Sequence, residues 1–314
     1  MKQPSFWYKK HSFWKWILFP FGKVYALSVQ RRLNKTEPFQ PSVPVVCVGN
    51  LSVGGSGKTP VALAVADFLI ARGKKVVFLS HGYKSRHQGI VVDLKKPDGI
   101  GDEALLMAQK APTVVNKNRA EGVRMAQKMG ADVILMDDGF QNPSVVKTFS
   151  ILVFDGMYGI GNGACLPAGP MREPLKNGLK RADAVIVMGE DKTGLCRKIK
   201  AENPKMPLLT GRLKPISDLC GLNGFAFAGI GHPEKFFAML REQGVSLTGT
   251  KAFPDHACYT KRMLDRLLKK HERLFTTAKD MVKIPVQYRK KITCVDVVFK
   301  PDSENDWAKL LEEI

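Results

Sequence analysis

The string Gly49-Asn-Leu-Ser-Val-Gly-Gly-Ser-Gly-Lys-Thr59 combines three chemical types that bind phosphates: free backbone amides, a cation and a metal-binding hydroxyl. Gly54, Gly55 and Gly57 let the backbone turn its N–H groups toward an anion, with Ser52, Val53 and Ser56 completing the loop. Lys58 would reach the β/γ-phosphates of a nucleotide, and the Thr59 hydroxyl would sit on Mg²⁺. The usual G-x-x-x-x-G-K-[ST] spacing has glycine where this chain has Ser52. A second string, Val133-Ile-Leu-Met-Asp-Asp138, is an apolar strand ending in two carboxylates. Opposite a phosphate loop, such a strand end holds Mg²⁺ through one of Asp137 and Asp138 while the other orients water or substrate. Two acids before a glycine can also simply start a turn. Asp102 and Glu103 open a helical pattern, where carboxylates serve as caps. His256 lies between a strand-like segment and a helix, and on spacing alone it reads as structural.

These side chains need elements to hold them. Val43 to Val48 reads as a buried strand before the loop, and Pro60 to Ala71 as a helix whose positive end faces the phosphates. Strand candidates follow at 75–79, 133–136, 151–154 and 184–188, with helix candidates at 102–110 and 119–129. This alternation predicts an α/β fold of the phosphate-loop type, a doubly wound, mostly parallel sheet with ligands outside the carboxyl ends of its strands. Residues 156–181 are rich in Gly and Pro and read as a long functional loop. Strands at 225–228, 274–277 and 293–299, helices at 233–243 and 260–271, and a closing helix from Trp307 read as a second, smaller α/β lobe. The expected division is 1–40 as an N-terminal segment, 41–205 as the phosphate-loop core and 206–314 as the smaller lobe.

Composition narrows the partners. With 44% hydrophobic and 25% charged residues the chain is globular rather than disordered, and its net charge of +20 favours an anionic partner. Residues 1–40 hold eight lysines and arginines against Glu37 alone, and three of the four tryptophans: Trp7, Trp14 and Trp16. Phe13, Trp16, Ile17, Phe21, Val24 and Tyr25 fall at helical spacing between lysines, which predicts an interfacial helix on an anionic membrane surface. Pro20 is expected to kink or split it. No stretch approaches the ~20 apolar residues that cross a bilayer, and the dense aromatics do not read as a signal peptide. The six cysteines show no C-x-x-C pair or metal-like spacing and suit a reducing compartment. No nucleic-acid-binding motif occurs. Asn116-Lys-Asn-Arg119 fails the fourth position of a guanine-specificity string, and Val53 stands where membrane-associated partitioning ATPases carry a signature lysine.

Taken together, the strings resemble the tetraacyldisaccharide 4′-kinase family of lipid A biosynthesis over nearly the whole chain. They are Gly49-Asn-Leu-Ser with Gly57-Lys-Thr-Pro60, Gly82-Tyr83, Gly101-Asp-Glu103, Asp137-Asp-Gly-Phe-Gln141, Leu166-Pro-Ala-Gly-Pro-Met-Arg-Glu-Pro174, Phe253-Pro-Asp-His256 and Thr276-Thr-Ala-Lys-Asp280. The resemblance implies transfer of the γ-phosphate of ATP, with Mg²⁺, to the 4′-hydroxyl of an acylated glucosamine disaccharide 1-phosphate, forming lipid IVA at the cytoplasmic face of the inner membrane. It implies Asp102 and His256 as a catalytic pair beside Lys58. It also implies contacts from Arg119, Gln141, Arg172 and Glu173 to phosphates, metal or sugar, with Glu103 nearby. Two positions depart from the family pattern: His81 replaces Arg before Gly-Tyr, and Asn142 replaces His after Gln141. They bear on substrate or nucleotide contacts rather than on the reaction class. The other reading is a membrane-localised phosphate-loop ATPase switch acting on protein partners.

Overall fold

In a computed structural model, which describes residues 3–83 and 85–314, the apolar runs become strands of one large sheet. Lys2, one of the basic N-terminal residues, lies outside the described residues. In chain order the strands are Val45–Gly49 (β1), Val76–Ser80 (β2), Ile90–Val91 (β3), Thr113–Val115 (β4), Val133–Asp137 (β5), Phe149–Asp155 (β6), Ala184–Met188 (β7) and Leu208–Pro215 (β8). Asn223–Ala228 (β9), Ser246–Ala252 (β10), Leu274–Thr277 (β11), Thr293–Val295 (β12) and Val297–Pro301 (β13) follow. The large sheet has the order β13-β8-β7-β6-β1-β5-β2-β4-β3, and the small one β10-β9-β11-β12. All pairings are parallel except β3 with β4 and β13 with β8, both at the sheet edges.

The central strands β1, β2, β5 and β7 are buried at every residue, as a parallel sheet covered on both faces requires. Val46 and Val48 pack under the Lys58–Ala71 helix with Val61, Val65 and Leu69, while Cys47 faces Phe140 and Leu152 on the other side. Because β1 lies between β5 and β6, the phosphate loop leaves the sheet beside the carboxyl end of β5, where Asp137 and Asp138 stand.

The chain does not divide at residue 206. Strands β8 and β13 both belong to the large sheet, paired antiparallel from Val297 opposite Pro215 to Pro301 opposite Gly211. The helix Glu304–Leu311 returns Trp307, Leu310 and Leu311 to the core under the Lys58–Ala71 helix. Residues 293–299, which read as one strand, are two: Asp296 separates β12 in the small sheet from β13 in the large one. A Cβ at Gly211 would lie 2.5 Å from the Phe299 ring, so glycine permits this pairing. The small sheet carries apolar clusters on both faces, one around Phe236 and Phe237, the other around Leu264 and Tyr259.

The N-terminal helix runs unbroken from Phe13 to Lys35 with Pro20 inside it. Proline removes one amide from the ladder, and the helix continues through the gap. Gly22 and Val29 face the protein, and a Cβ at Gly22 would meet the Cys165 carbonyl oxygen at 2.8 Å. Tyr25, expected on the outer stripe, instead packs partly into the core, whereas Trp14, Phe19 and Leu27 join Phe13, Trp16, Ile17, Phe21 and Val24 outside.

Candidate active site

The phosphate loop is shaped by two left-handed glycines. Gly54 has φ +114°, and Gly57, φ +85°, caps the Lys58–Ala71 helix, so a side chain at either would be strained. Its framework is local. Asn50 donates through Nδ2 to Ser56 Oγ at 3.1 Å, Val53 N donates to the Pro170 carbonyl at 2.9 Å, and Ser52 forms a bridge with Met171. Ser52 therefore holds the loop against the Leu166–Pro174 string, where the usual pattern has glycine. Lys58 points its ammonium at Asp138 Oδ1, 3.9 Å away, and Thr59 follows on the first turn of the helix.

The two aspartates at the end of β5 differ in environment. Asp138 sits in the left-handed region at φ +49° and is gripped by Arg172 through both guanidinium nitrogens. Burial would raise its carboxyl, but Lys58, Arg172 and Arg119 hold it below the usual range. Asp137 is 4% exposed, and burial, reinforced by Glu103, pushes its carboxyl up to about 7 despite Lys58. Its buried Oδ1 has no hydrogen-bond partner. An unpartnered buried carboxylate oxygen facing the loop cation fits a bound divalent ion, with Thr59 and Asp138 alongside. Among the described residues no group of three or more His, Cys, Asp or Glu side chains forms a cage. That suits Mg²⁺, which is commonly bound by one or two carboxylates together with substrate phosphates and water.

The small-sheet unit supplies His256. Its Nδ1 lies 2.9 and 2.8 Å from the two carboxylate oxygens of Asp102, although the residues are 154 positions apart. His256 takes φ +61°, its amide donates to the Gly229 carbonyl, and the Tyr83 ring lies 5.4 Å from the imidazole. Burial would raise the Asp102 carboxyl; the His256 hydrogen bond and the charges of Lys279 and Lys283 outweigh it and bring it to about 2. Gly101 permits this arrangement because a Cβ there would lie 2.3 Å from the Tyr83 carbonyl oxygen. Glu103 pairs with Lys279 at 3.3 Å. The Thr276–Asp280 string thus delivers a cation to the helix that carries Asp102.

Three residues expected at the phosphates or sugar are engaged elsewhere. Arg119 is 1% exposed and donates to the main-chain carbonyls of Leu79 (3.1 Å) and Asp137 (2.9 Å), tying the ends of β2 and β5 together. Glu173 is 2% exposed and accepts two 2.6 Å bonds from Arg181 and one of 3.0 Å from Gln141. Gln141 also donates to the Asn50 carbonyl and accepts from Arg172. These groups form a brace under the loop, and Arg172 alone of this set points to Asp138. Asn142 closes its own turn by accepting from Ser144 N and Oγ, and His81 is exposed. Arg181 and Lys283 carried no spacing signal; Asn50, Lys279 and Asp280 stood in family strings without an assigned role.

The family model described as tetraacyldisaccharide-1-P 4′-kinase matches residues 14–314. A tetraacyldisaccharide 4′-kinase of Paramagnetospirillum magneticum is 45% identical over 324 residues, covering 100% of this chain and 99% of its own length. One from Rhodospirillum rubrum is 44% identical, covering 95% and 93%. The crystal structure of LpxK from Aquifex aeolicus in complex with ATP superposes with a TM-score of 0.74 at 26% identity, covering 95% of this chain and 98% of that one. These matches span nearly the whole chain, which therefore belongs to the tetraacyldisaccharide-1-phosphate 4′-kinase family.

Proposed function

We propose that this protein transfers the γ-phosphate of ATP to the 4′-hydroxyl of an acylated glucosamine disaccharide 1-phosphate, working from the cytoplasmic face of the inner membrane. The observation that carries the reading is the hydrogen-bonded pairing of Asp102, on a helix of the large-sheet unit, with His256, on a loop of the small-sheet unit, next to Glu103, whose charge reaches Asp137 together with that of Lys58. A plain nucleotide switch has no need of a carboxylate–imidazole pair beside its phosphates.

The chain's own groups divide the work. Backbone amides of Gly54 to Gly57 and the Lys58 ammonium neutralise phosphate oxygens and hold the chain of phosphates in place. Thr59, Asp137 and Asp138 would hold Mg²⁺, which when bound neutralises charge between the β- and γ-phosphates. Arg172, released in part from Asp138, offers a planar pair of donors to the transferring group. Asp102 accepts or orients the proton of the acceptor hydroxyl, and His256 fixes the carboxylate and polarises it. Since such transfer depends on position and charge more than on base strength, a strongly acidic Asp102 is compatible with the role.

The acceptor's acyl chains suit the N-terminal helix. Phe13 is 73% exposed and Trp16 67%, with Phe21 and Val24 beside them and Lys23, Arg31, Arg32 and Lys35 on the surface. This arc would sit at the headgroup boundary of an anionic membrane, where the substrate also resides. No helix of the described residues is long and apolar enough to cross a membrane. Thin-layer separation after incubation with labelled ATP and the acylated disaccharide monophosphate tests the proposal. Label on the lipid is the expected result; ATP hydrolysis with no labelled lipid would favour the switch.

A further inference from the structure

Lys283 stands between two carboxylates, one from the large-sheet unit and one from the small-sheet unit. Its ammonium is buried from water, 2.8 Å from Asp280 Oδ1 and 3.6 Å from Asp102 Oδ2. The contact with Asp280 is an ion contact without the direction of a hydrogen bond, so the lysine acts there as a point charge. Asp280 is fully buried and already satisfied by the Gly229 amide, the Tyr259 hydroxyl and the Thr277 hydroxyl. It does not require the lysine as a donor. Asp102 is different: His256 meets its two oxygens, and Lys283 is the further cation against Oδ2.

The other charged groups around Asp102 are accounted for. Glu103, its neighbour on the helix, is paired with Lys279, whose charge also acts on Asp102 from beyond ion-pair contact. Asp255 faces the outer imidazole nitrogen of His256, with Oδ2 3.7 Å from Nε2. The Tyr259 ring lies 5.6 Å from the Lys283 ammonium. Without Lys283, Asp102 and the buried Asp280 would face one another across the gap with no cation between them. Like charges at such separation in a poorly solvated site repel strongly.

We infer that Lys283 is a positioning residue for the phosphoryl transfer: pinned on Asp280, its charge holds the Asp102 carboxylate aligned between itself and His256. This inference rests on the kinase reading, and lipid phosphorylation by the unaltered protein in the same assay separates its failure from the failure of that reading. The group acts through Asp102, so its loss should be invisible once Asp102 no longer carries charge.

A double-mutant cycle makes the test. Lys283→Gln keeps a donor for Asp280 and removes the charge; it should lower kcat roughly tenfold while ATP affinity, read by calorimetry, stays within about twofold. Lys283→Arg should recover most of the lost kcat. In an Asp102→Asn background, Lys283→Gln should cost nothing further. A lysine that merely supports the fold gives equal losses in both backgrounds, and that result overturns the inference, as does an unchanged kcat in the single variant. If Lys283→Gln is not recovered folded, Lys283→Met, which leaves Asp280 to its three donors, replaces it in the cycle.

Discussion

Arg172 holds Asp138 with both guanidinium nitrogens, Nη1 to Oδ1 at 2.8 Å and Nη2 to Oδ2 at 3.2 Å, while Lys58 faces the same Oδ1 from 3.9 Å. One carboxylate thus serves as counterion for the two cations placed to receive phosphates. The arrangement keeps both cations oriented before a nucleotide arrives, which lowers the reorganisation needed afterward.

Lys58→Ala should therefore reduce phosphate transfer by on the order of 10²–10³, the usual consequence of losing one preorganised charge at a transition state. Asp138 keeps Arg172, so the strand end should stay folded and thermal melting should barely change. Turnover near that of the unaltered protein would remove the loop lysine from the mechanism.

The 2.8 Å contact of His256 with Asp102 makes the pair a unit. Asp102→Ala and His256→Ala should each cut turnover far more than they weaken ATP binding, and the double variant should be about as slow as the slower single one. Steady-state kinetics on the four proteins decides; losses that multiply would mean that the two residues act separately.

Glu173 offers a test of brace against substrate contact. Its carboxylate is buried on Arg181 and Gln141, so Glu173→Gln should cost about 1–3 kcal/mol of stability and slow turnover by loosening Arg172. A direct role in acceptor binding would instead raise the acceptor KM with the melting temperature unchanged.

Membrane attachment is best probed by substitution. Removing the first 25 residues would also remove the Gln3 bond to the Val53 carbonyl and the Trp7 bond to the Pro167 carbonyl, which tie the N-terminus to the loops of the site. Changing Phe13, Trp16, Ile17 and Val24 together to serine leaves those ties in place. The variant should fold and bind ATP, lose flotation with anionic vesicles and show a raised KM for the acylated acceptor. High salt should weaken, without ending, the flotation of the unaltered protein. A variant that still floats and keeps its KM would place the anchor elsewhere.

The amino-acid sequence by itself determined the parts whose information is local. The Gly54–Thr59 loop, the acidic end of β5 and the alternation of buried strands and helices follow from glycine conformations, side-chain types and periodicity within a few residues. Those patterns placed nucleotide-phosphate chemistry and the α/β class. They were silent on β8 and ran β12 and β13 together as one strand: Gly211 and Pro215 weaken a strand pattern, and only the packing of Phe299 against Gly211 shows why β8 and β13 pair. The resemblance put Arg119 at phosphates, metal or sugar, whereas its guanidinium is drawn to strand-end carbonyls, and nothing in the sequence signalled Lys283. A side chain's partner in space depends on how two sheets and their loops close on each other, and that closure is a sum of many distant contacts. Asp102 and His256 are 154 residues apart in the chain, and only tertiary packing sets the 2.8 Å between them.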